Sequence, residues 1–506
     1  MRAVPLGKLL LICCAALALV PILPAYLPLV DFPQHVALHA IWNHIHDPAF
    51  NLNGRFEVTL ATPYVLSHLL AHAVGQVVGP EGGLRFVLVV ALVTFPLAAV
   101  VFLRAFDRPP ELALAAAPAA LSFVYWFGFT SYVIALPLVL VGVASVRRCA
   151  VSGRVRDALL LGVVGLVTVA THGFAFLVLL LLAGVAALAT TRAFSRLALT
   201  AGALVPAFVW AIAWYASMSG EAPAEPLPTQ YGFFRDRLRL GLGTLFGTHS
   251  RDPRVLAIAL ALLAVAALAI WRSRKPASAA GAESGRRALL AVASVAIAAS
   301  LLCPEVLMNT WGLWERIPPI AFVALVGTVR WAAAPAIRAR LAVGLTAVVL
   351  FAAGTAVARG LAFSEQVKGI RELAQELPRG ARIFWSACGE EFPSPGATPA
   401  FKHLGAYVQA ERGGDLSYSF AHFPHMVVRY RGAPLPEVFD RSLYDLAVLR
   451  LGPKCPSLDE LRRLGPLAVR GSYVALPASA VTPELAAAME PEHVRVITRT
   501  AERRTQ

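Results

Sequence analysis

The sequence predicts a polytopic α-helical membrane protein of about eleven transmembrane helices, followed by a C-terminal extracytoplasmic α/β domain. Three observations predict it. Of 506 residues, 58% are hydrophobic and only 15% charged, and the mean hydropathy is +0.65; an ordinary soluble domain has roughly a quarter of its residues charged. Apolar runs near the ~17–25 residues that cross about 30 Å of hydrocarbon recur up to Gly360. Beyond Gly360 they stop, and short strand-like and helix-like stretches alternate.

The runs fall near 9–30, 84–103, 111–127, 130–146, 158–171, 174–190, 197–216, 255–271, 288–303, 317–331 and 340–358. The first is longer than a signal-peptide core and carries Pro21, Pro24 and Pro28 near its exit, so it reads as an uncleaved span. Cys13-Cys14 lacks the small preceding residue of a lipidation site. The stretch 158–191 is apolar throughout but would be roughly 50 Å long as one helix, so His172-Gly173 is expected to turn it. Tyr125-Trp126-Phe127-Gly128-Phe129 divides 111–146 in the same way, as an interfacial aromatic belt with a glycine break. The tenth run begins Ile317-Pro318-Pro319 and is short.

Charge orients the chain. With Arg2 and Lys8 in the cytoplasm, the cytoplasmic connections collect 18 basic residues against four acids, and the outer connections up to Gly360 hold nine against ten. That asymmetry is the positive-inside rule, and it accounts for most of the net charge of +15. No basic stripe with interleaved aromatics stands on a soluble surface, so nucleic acid is not expected as a partner. The segment Thr62–Gly79 (TPYVLSHLLAHAVGQVVG) is apolar enough to tempt a further span, but that would put 16 of the 18 basic residues outside. It is expected as an amphipathic or re-entrant surface helix, with His68 and His72 one turn apart.

Two domains follow: a membrane domain over 1–360 and a soluble one over 361–506. The second should start with a helix over 364–377, then strands at 381–385 and 444–451, a helix near 457–464 and a third strand over 467–476, with 391–399 a loop. Cys388 and Cys455 lie in the oxidising compartment and could bridge, two buried thiols being the other reading.

Candidate chemistry sits on the outer side, because the spans carry no acid or base away from their ends. Six of the twelve histidines lie between positions 35 and 72. Asp31, directly after the first span, reads either as a general base toward a hydroxyl or as the N-cap of a helix entered through Pro33. His35 and His39 follow at helical spacing; Asp31, His35 and His39 could hold a divalent metal, or the histidines could be solvated by headgroups. His172, Glu305 and Arg316, with Trp311 and Trp314, would suit a headgroup or sugar ring, or form an anchor belt. Arg235, Arg237 and Arg239, with Arg251 and Arg254, break the charge rule in the loop 217–253 and at its exit. A phosphate would explain them, as would anionic membrane lipids.

An acid directly after the first span (Asp31 in DFPQH), a surface helix before the second, an Arg opening that span (Gly83-Leu84-Arg85-Phe86) and an external C-terminal domain together resemble the GT-C superfamily of polyprenol-dependent membrane glycosyltransferases. The resemblance implies inverting transfer of a sugar from a polyprenyl-phosphate donor to an acceptor at the outer face, with Asp31 as base. It also implies the plasma membrane of a prokaryote. Many members have two adjacent acids where Phe32 follows here, so Asp47 or Glu57 would have to substitute. Two other classes fit the layout: a transporter or flippase of a lipid-linked or polar solute, and a non-catalytic envelope-assembly protein. Eleven crossings put the tail outside the cytoplasm, so alkaline phosphatase fused after Gln506 is expected to be active. An inactive fusion overturns the span count.

Overall fold

The computed structural model describes residues 5–218, 229–231, 234–247, 253–272, 280–307, 310–329, 334–393 and 397–489. The chain divides into two compact units, one of Met1–Pro24, Pro63–Leu70 and Arg85–Arg359, the other of Ala25–Thr62, Ala71–Leu84 and Gly360–Gln506. This is not a single cut at position 360: the first outer loop and part of the surface helix group with the C-terminal residues.

The first unit is helical. Its first helix, α1 (Leu6–Ile22), ends well before position 30. Pro24 and Pro28 have no N–H to donate, which leaves the remainder of that apolar run irregular. After α2 (Phe32–Asn43), which belongs to the second unit, comes α3 (Val65–Ala105), interrupted at Gly79 with φ 80°. A side chain disfavours that left-handed backbone, and glycine allows the reversal. The limbs on either side lie so close that a Cβ on Gly83 would meet the Ala71 carbonyl oxygen at 2.0 Å. The surface helix and the span from 84 are therefore two limbs meeting at a sharp turn.

The run 111–127 is not one helix. A 3₁₀ turn (Pro110–Leu112), α4 (Ala113–Ala116), a second 3₁₀ turn (Ala117–Leu121) and α5 (Phe123–Phe127) follow one another, because Pro118 removes a donor and Ser122 is extended at ψ 176°. Then come α6 (Thr130–Ser152), α7 (Val155–Thr171) and α8 (Gly173–Thr190), the last two turning at His172 as expected. The remainder are α9 (Phe194–Met218), α10 (Phe234–Phe246), α11 (Pro253–Arg272), α12 (Ala280–Leu302), α13 (Pro318–Thr328) and α14 (Pro335–Gln366). Among the described residues seven helical segments are long and apolar enough to cross a membrane. Helix α13 has 11 residues, about 16 Å at 1.5 Å each, and is too short to cross alone.

The second unit is α/β. The helix expected over 364–377 is the end of α14 and a separate α15 (Ile370–Glu376), broken at Gly369 where φ is 102°. A five-stranded sheet runs in the order Asp415–Leu416, Arg382–Ser386, Leu446–Arg450, Tyr473–Pro477 and Ala468–Arg470. Strand β4 (Arg382–Ser386) pairs in parallel with β5 (Asp415–Leu416) and β7 (Leu446–Arg450). Strand β9 (Tyr473–Pro477) is antiparallel to β7 and to β8 (Ala468–Arg470). One strand over 467–476 had been expected; Gly471, at φ 55°, turns it into a hairpin. Helix α17 (Leu458–Arg463) starts at a capping box of Ser457 and Glu460, and α18 (Pro483–Met489) closes the described chain. Cys388 and Cys455 form a disulfide.

The first outer loop is built into this unit. Strand β1 (Phe56–Val58) pairs antiparallel with β6 (Val428–Tyr430), and Phe56, Leu38 and Ile41 share a core with Phe420, Val427 and Val428. The Arg55 guanidinium pairs with the buried Asp415 carboxylate. Helix α16 (Gly405–Arg412) packs along α2 and ends at Gly413, φ 73°, where a Cβ would meet the Ala49 carbonyl oxygen at 2.3 Å and the Phe50 Cα at 2.6 Å. Backbone cannot yield as a side-chain tip can, so Gly413→Ala is expected to cost at least ~2 kcal/mol. Thermal unfolding of the detergent-solubilised protein should show the loss; an unchanged midpoint would mean that this approach is not tight in solution.

Candidate functional site

Helix α2 is short and buried on every side, residues Phe32 to Ile41 all being enclosed. Its polar side chains must therefore find partners inside the protein. Gln34 does so with both ends of its amide: Nε2 donates to the Tyr418 carbonyl at 2.9 Å, and Oε1 accepts from the Phe420 amide at 3.1 Å. His35 packs edge-on against Phe420, ring centroids 5.5 Å apart, and His39 lies along Trp42. Burial pushes the two imidazoles down to about 4 and about 3, so both are neutral near pH 7.

Asp31 occupies the N-cap position of α2, yet its side chain makes no capping hydrogen bond. The cap reading of this residue is set aside. Its Oδ1 instead lies 3.8 Å from His403 Nε2, with both side chains almost fully buried. His403 stacks flat on Tyr418 (centroids 5.0 Å, 9° between planes). Burial, and then the charge of Asp31, push the Tyr418 phenol up, so it stays protonated. His403, Tyr418 and Gln34 line an open cleft with Trp385, Lys402, Glu437 and Lys454. Nothing in the local sequence around His403 singled it out; its part emerges only when α16 is laid against α2.

Asp31, His35 and His39 do not converge as a ligand set. Among the described residues no group of three or more His, Cys, Asp or Glu side chains is placed to hold a metal ion, and the two α2 imidazoles are enclosed by aromatic rings. Neither proposed second acid replaces a partner at Asp31. Asp47 pairs with Arg379 at 2.7 Å, and Glu57 sits in β1 beside Arg431 at 3.4 Å.

The first unit gathers a separate cluster. His172 Nδ1 lies 3.4 Å from the Ala175 amide at the start of α8, and its Nε2 faces Arg316 Nη1 at 3.2 Å. Arg316 also donates to the Gly312 and Trp311 carbonyls and lies over Phe129, 4.2 Å from the ring centroid. Glu305, half-buried, accepts from the Trp311 indole at 3.2 Å, beside the hairpin of β2 (Val306–Leu307) and β3 (Thr310–Trp311). These contacts make Arg316 and Glu305 the internal framework of the loop before α13 and tie it to His172 at the turn between α7 and α8.

The outer arginines separate by role. Arg235 is exposed, the Arg239 side chain and Arg251 lie outside the described residues, and Arg237 is buried. Arg237 Nη1 donates to the Leu301 and Cys303 carbonyls at 2.7 and 2.5 Å, so it caps the C-terminal end of α12, where a cation is favoured. That accounts for Arg237 without a phosphate. Arg254, by contrast, lines a groove with Arg359 above apolar Leu121, Val255, Ile258 and Ala352, and the Arg359 guanidinium lies 4.8 Å from the Trp126 ring centroid. Arg85, which opens the second span, donates to the Pro21 and Pro24 carbonyls.

The whole chain resembles solved structures of ArnT from Cupriavidus metallidurans. The form bound to undecaprenyl phosphate matches with a TM-score of 0.53 at 13% identity, over 95% of this chain and 100% of that one. The fold is GT-C-like. The apo form matches with a TM-score of 0.49 at 14% identity, over 94% of this chain and 99% of that one. No protein-family model matches the sequence, and no curated protein does. The seven apolar helical segments among the described residues have the length and composition of membrane spans.

Glu315, in the 3₁₀ turn Trp314–Arg316, is buried; burial first, and the charge of Glu305, push its carboxyl up to about 8 from an ordinary 4.5. The folded state therefore holds a proton that the unfolded state has already lost at neutral pH. The stability that this proton confers is complete below about pH 4.5 and disappears as pH rises towards 8. Thermal unfolding in detergent across that range should show a falling midpoint, and Glu315→Gln should flatten it. A slope that is the same in both proteins would place the titration elsewhere.

Proposed function

We propose that the protein is a glycosyltransferase that moves a sugar from a polyprenyl-phosphate donor to an acceptor at the outer face of a prokaryotic plasma membrane, with its N-terminus in the cytoplasm. The observation that carries this reading is the GT-C-like fold over 95% of this chain and 100% of the matched one. The ArnT structure that it matches was solved bound to undecaprenyl phosphate, which supports a lipid phosphate as donor. Arg254 and Arg359 above an apolar groove suit that chemistry: guanidinium forks match phosphate oxygens, and the hydrocarbon chain can follow the apolar wall.

The inverting reaction needs one proton acceptor. The acceptor hydroxyl loses its proton, its oxygen attacks the anomeric carbon, and the polyprenyl phosphate leaves with the electrons of the broken C–O bond. The pair Asp31 and His403 supplies the base. Membranes containing the protein are expected to transfer labelled sugar from a polyprenyl-phosphate donor. Asp31→Asn should lower that transfer by about 100-fold or more; transfer at the unmutated rate would remove Asp31 from the reaction.

A further inference from the structure

The cleft beside Asp31 belongs to the second unit, and its lining differs from that of a lipid site. Lys402 and Lys454 face it together with Glu391 and Glu437, so two cations are balanced by two anions. Phe392, 48% exposed, stands at its edge, and Tyr418 and Trp385 form part of the wall. A lining with no net formal charge, aromatic surface and several hydrogen-bonding groups suits a sugar or another polyhydroxylated headgroup better than a polyanion or a hydrocarbon chain.

Only one member of the Asp31–His403 pair lines this cleft. His403 does, whereas Asp31 lies behind it, its Oδ1 3.8 Å from Nε2 of the imidazole and its side chain 10% exposed. The stacked Tyr418 ring and the edge of Phe420 hold the imidazole plane. A ring held by packing, backed by a carboxylate and open to a cleft on another side, has the arrangement in which an imidazole takes a proton while the carboxylate stabilises the resulting cation. The charged and titratable groups around it are Asp31, Tyr418, Lys402, Lys454, Glu391 and Glu437.

We propose that this cleft is the acceptor subsite, that His403 takes the proton of a sugar hydroxyl bound there, and that Asp31 is the positioning residue behind it. This rests on the glycosyltransferase reading. The O–H bond of the acceptor breaks, its proton passes to the His403 imidazole, and the oxygen forms the new bond to the anomeric carbon as polyprenyl phosphate departs. The imidazolium so formed faces the Asp31 carboxylate until it returns the proton to water.

The test uses the full chain reconstituted in vesicles, with polyprenyl-phosphate-linked [¹⁴C]hexoses and pentoses as donors and native membrane extract as acceptor. His403→Gln should lower kcat by about 100-fold or more with little change in the KM for donor. It should also remove the limb of the pH–rate profile in the imidazole range, and added imidazole should restore part of the rate. Lys402→Ala and Glu437→Gln, at the half-buried lip, should raise the KM for acceptor and leave donor binding alone. If His403→Gln transfers at the unmutated rate or keeps the limb, or if its loss is not rescued by imidazole while the protein stays monodisperse in detergent, His403 is not the base. If both lip variants leave the KM for acceptor unchanged, the cleft is not the acceptor subsite. Absence of transfer by the unmutated protein from every donor would instead remove the transferase reading, and this inference with it.

Discussion

The second unit depends on the burial of α2. A ten-residue run, Phe32 to Ile41, with no solvent-facing side cannot leave its glutamine unsatisfied, since each buried polar group without a partner costs about 1–3 kcal/mol. The surrounding chain is arranged to meet that demand. Segment 418–420 gives Gln34 a donor and an acceptor as a neighbouring strand would, aromatic rings enclose the histidines, and α16 runs alongside. Pairing of β1 with β6 then fixes the far end of the loop. Asp31 is left at the head of the helix with its carboxylate unused for capping and turned to His403, so the candidate site follows from how the loop is buried.

This interlocking explains what could be read in advance and what could not. Apolar runs and basic flanks carry their meaning locally, so α6 to α9 and the turn at His172 were legible. So were β4, β7 and α17, whose hydrophobic runs or capping box declare themselves within a few residues. The boundaries that failed are those where a single residue decides: Pro24 and Pro28 ending the first run early, Pro118 breaking 111–127, Gly369 and Gly471 splitting a helix and a strand. The pairing of β1 with β6 left no trace, because β1 is three residues long and its partner lies some 370 positions away. His403 was missed for the same reason: nothing within its own segment indicates Asp31.

The outer arginines show how burial changes the meaning of a charge. On the sequence Arg235, Arg237, Arg239, Arg251 and Arg254 formed one anomalous group, explained equally by phosphate or by lipid headgroups, with Arg316 in a separate outer loop. In the fold, Arg237 completes the carbonyl end of α12 and Arg316 ties loop carbonyls to His172 and an aromatic ring. A guanidinium with five donors in a rigid plane does this better than a lysine would. Those two are accounted for by the architecture. Arg254 and Arg359 differ because their surroundings are an apolar groove, where a cation is best matched by an amphiphile with an anionic head.

The lone acid at position 31 is then less of a defect than the sequence suggested. The two candidates for a second carboxylate are held by their own arginines, Asp47 by Arg379 and Glu57 by Arg431, and the neighbour that Asp31 does have is an imidazole. In water a carboxylate titrates near 4 and an imidazole near 6.5, and a general base is most effective when its pKa lies close to the working pH. A carboxylate alone is always ionised at neutral pH but is a weak base towards a hydroxyl. An imidazole is the stronger base but must carry a positive charge once it has taken the proton, which is costly in a buried site unless an anion is adjacent. One acid and one histidine therefore divide between them what neither does well alone: proton affinity from the ring, and compensation of its charge from Asp31.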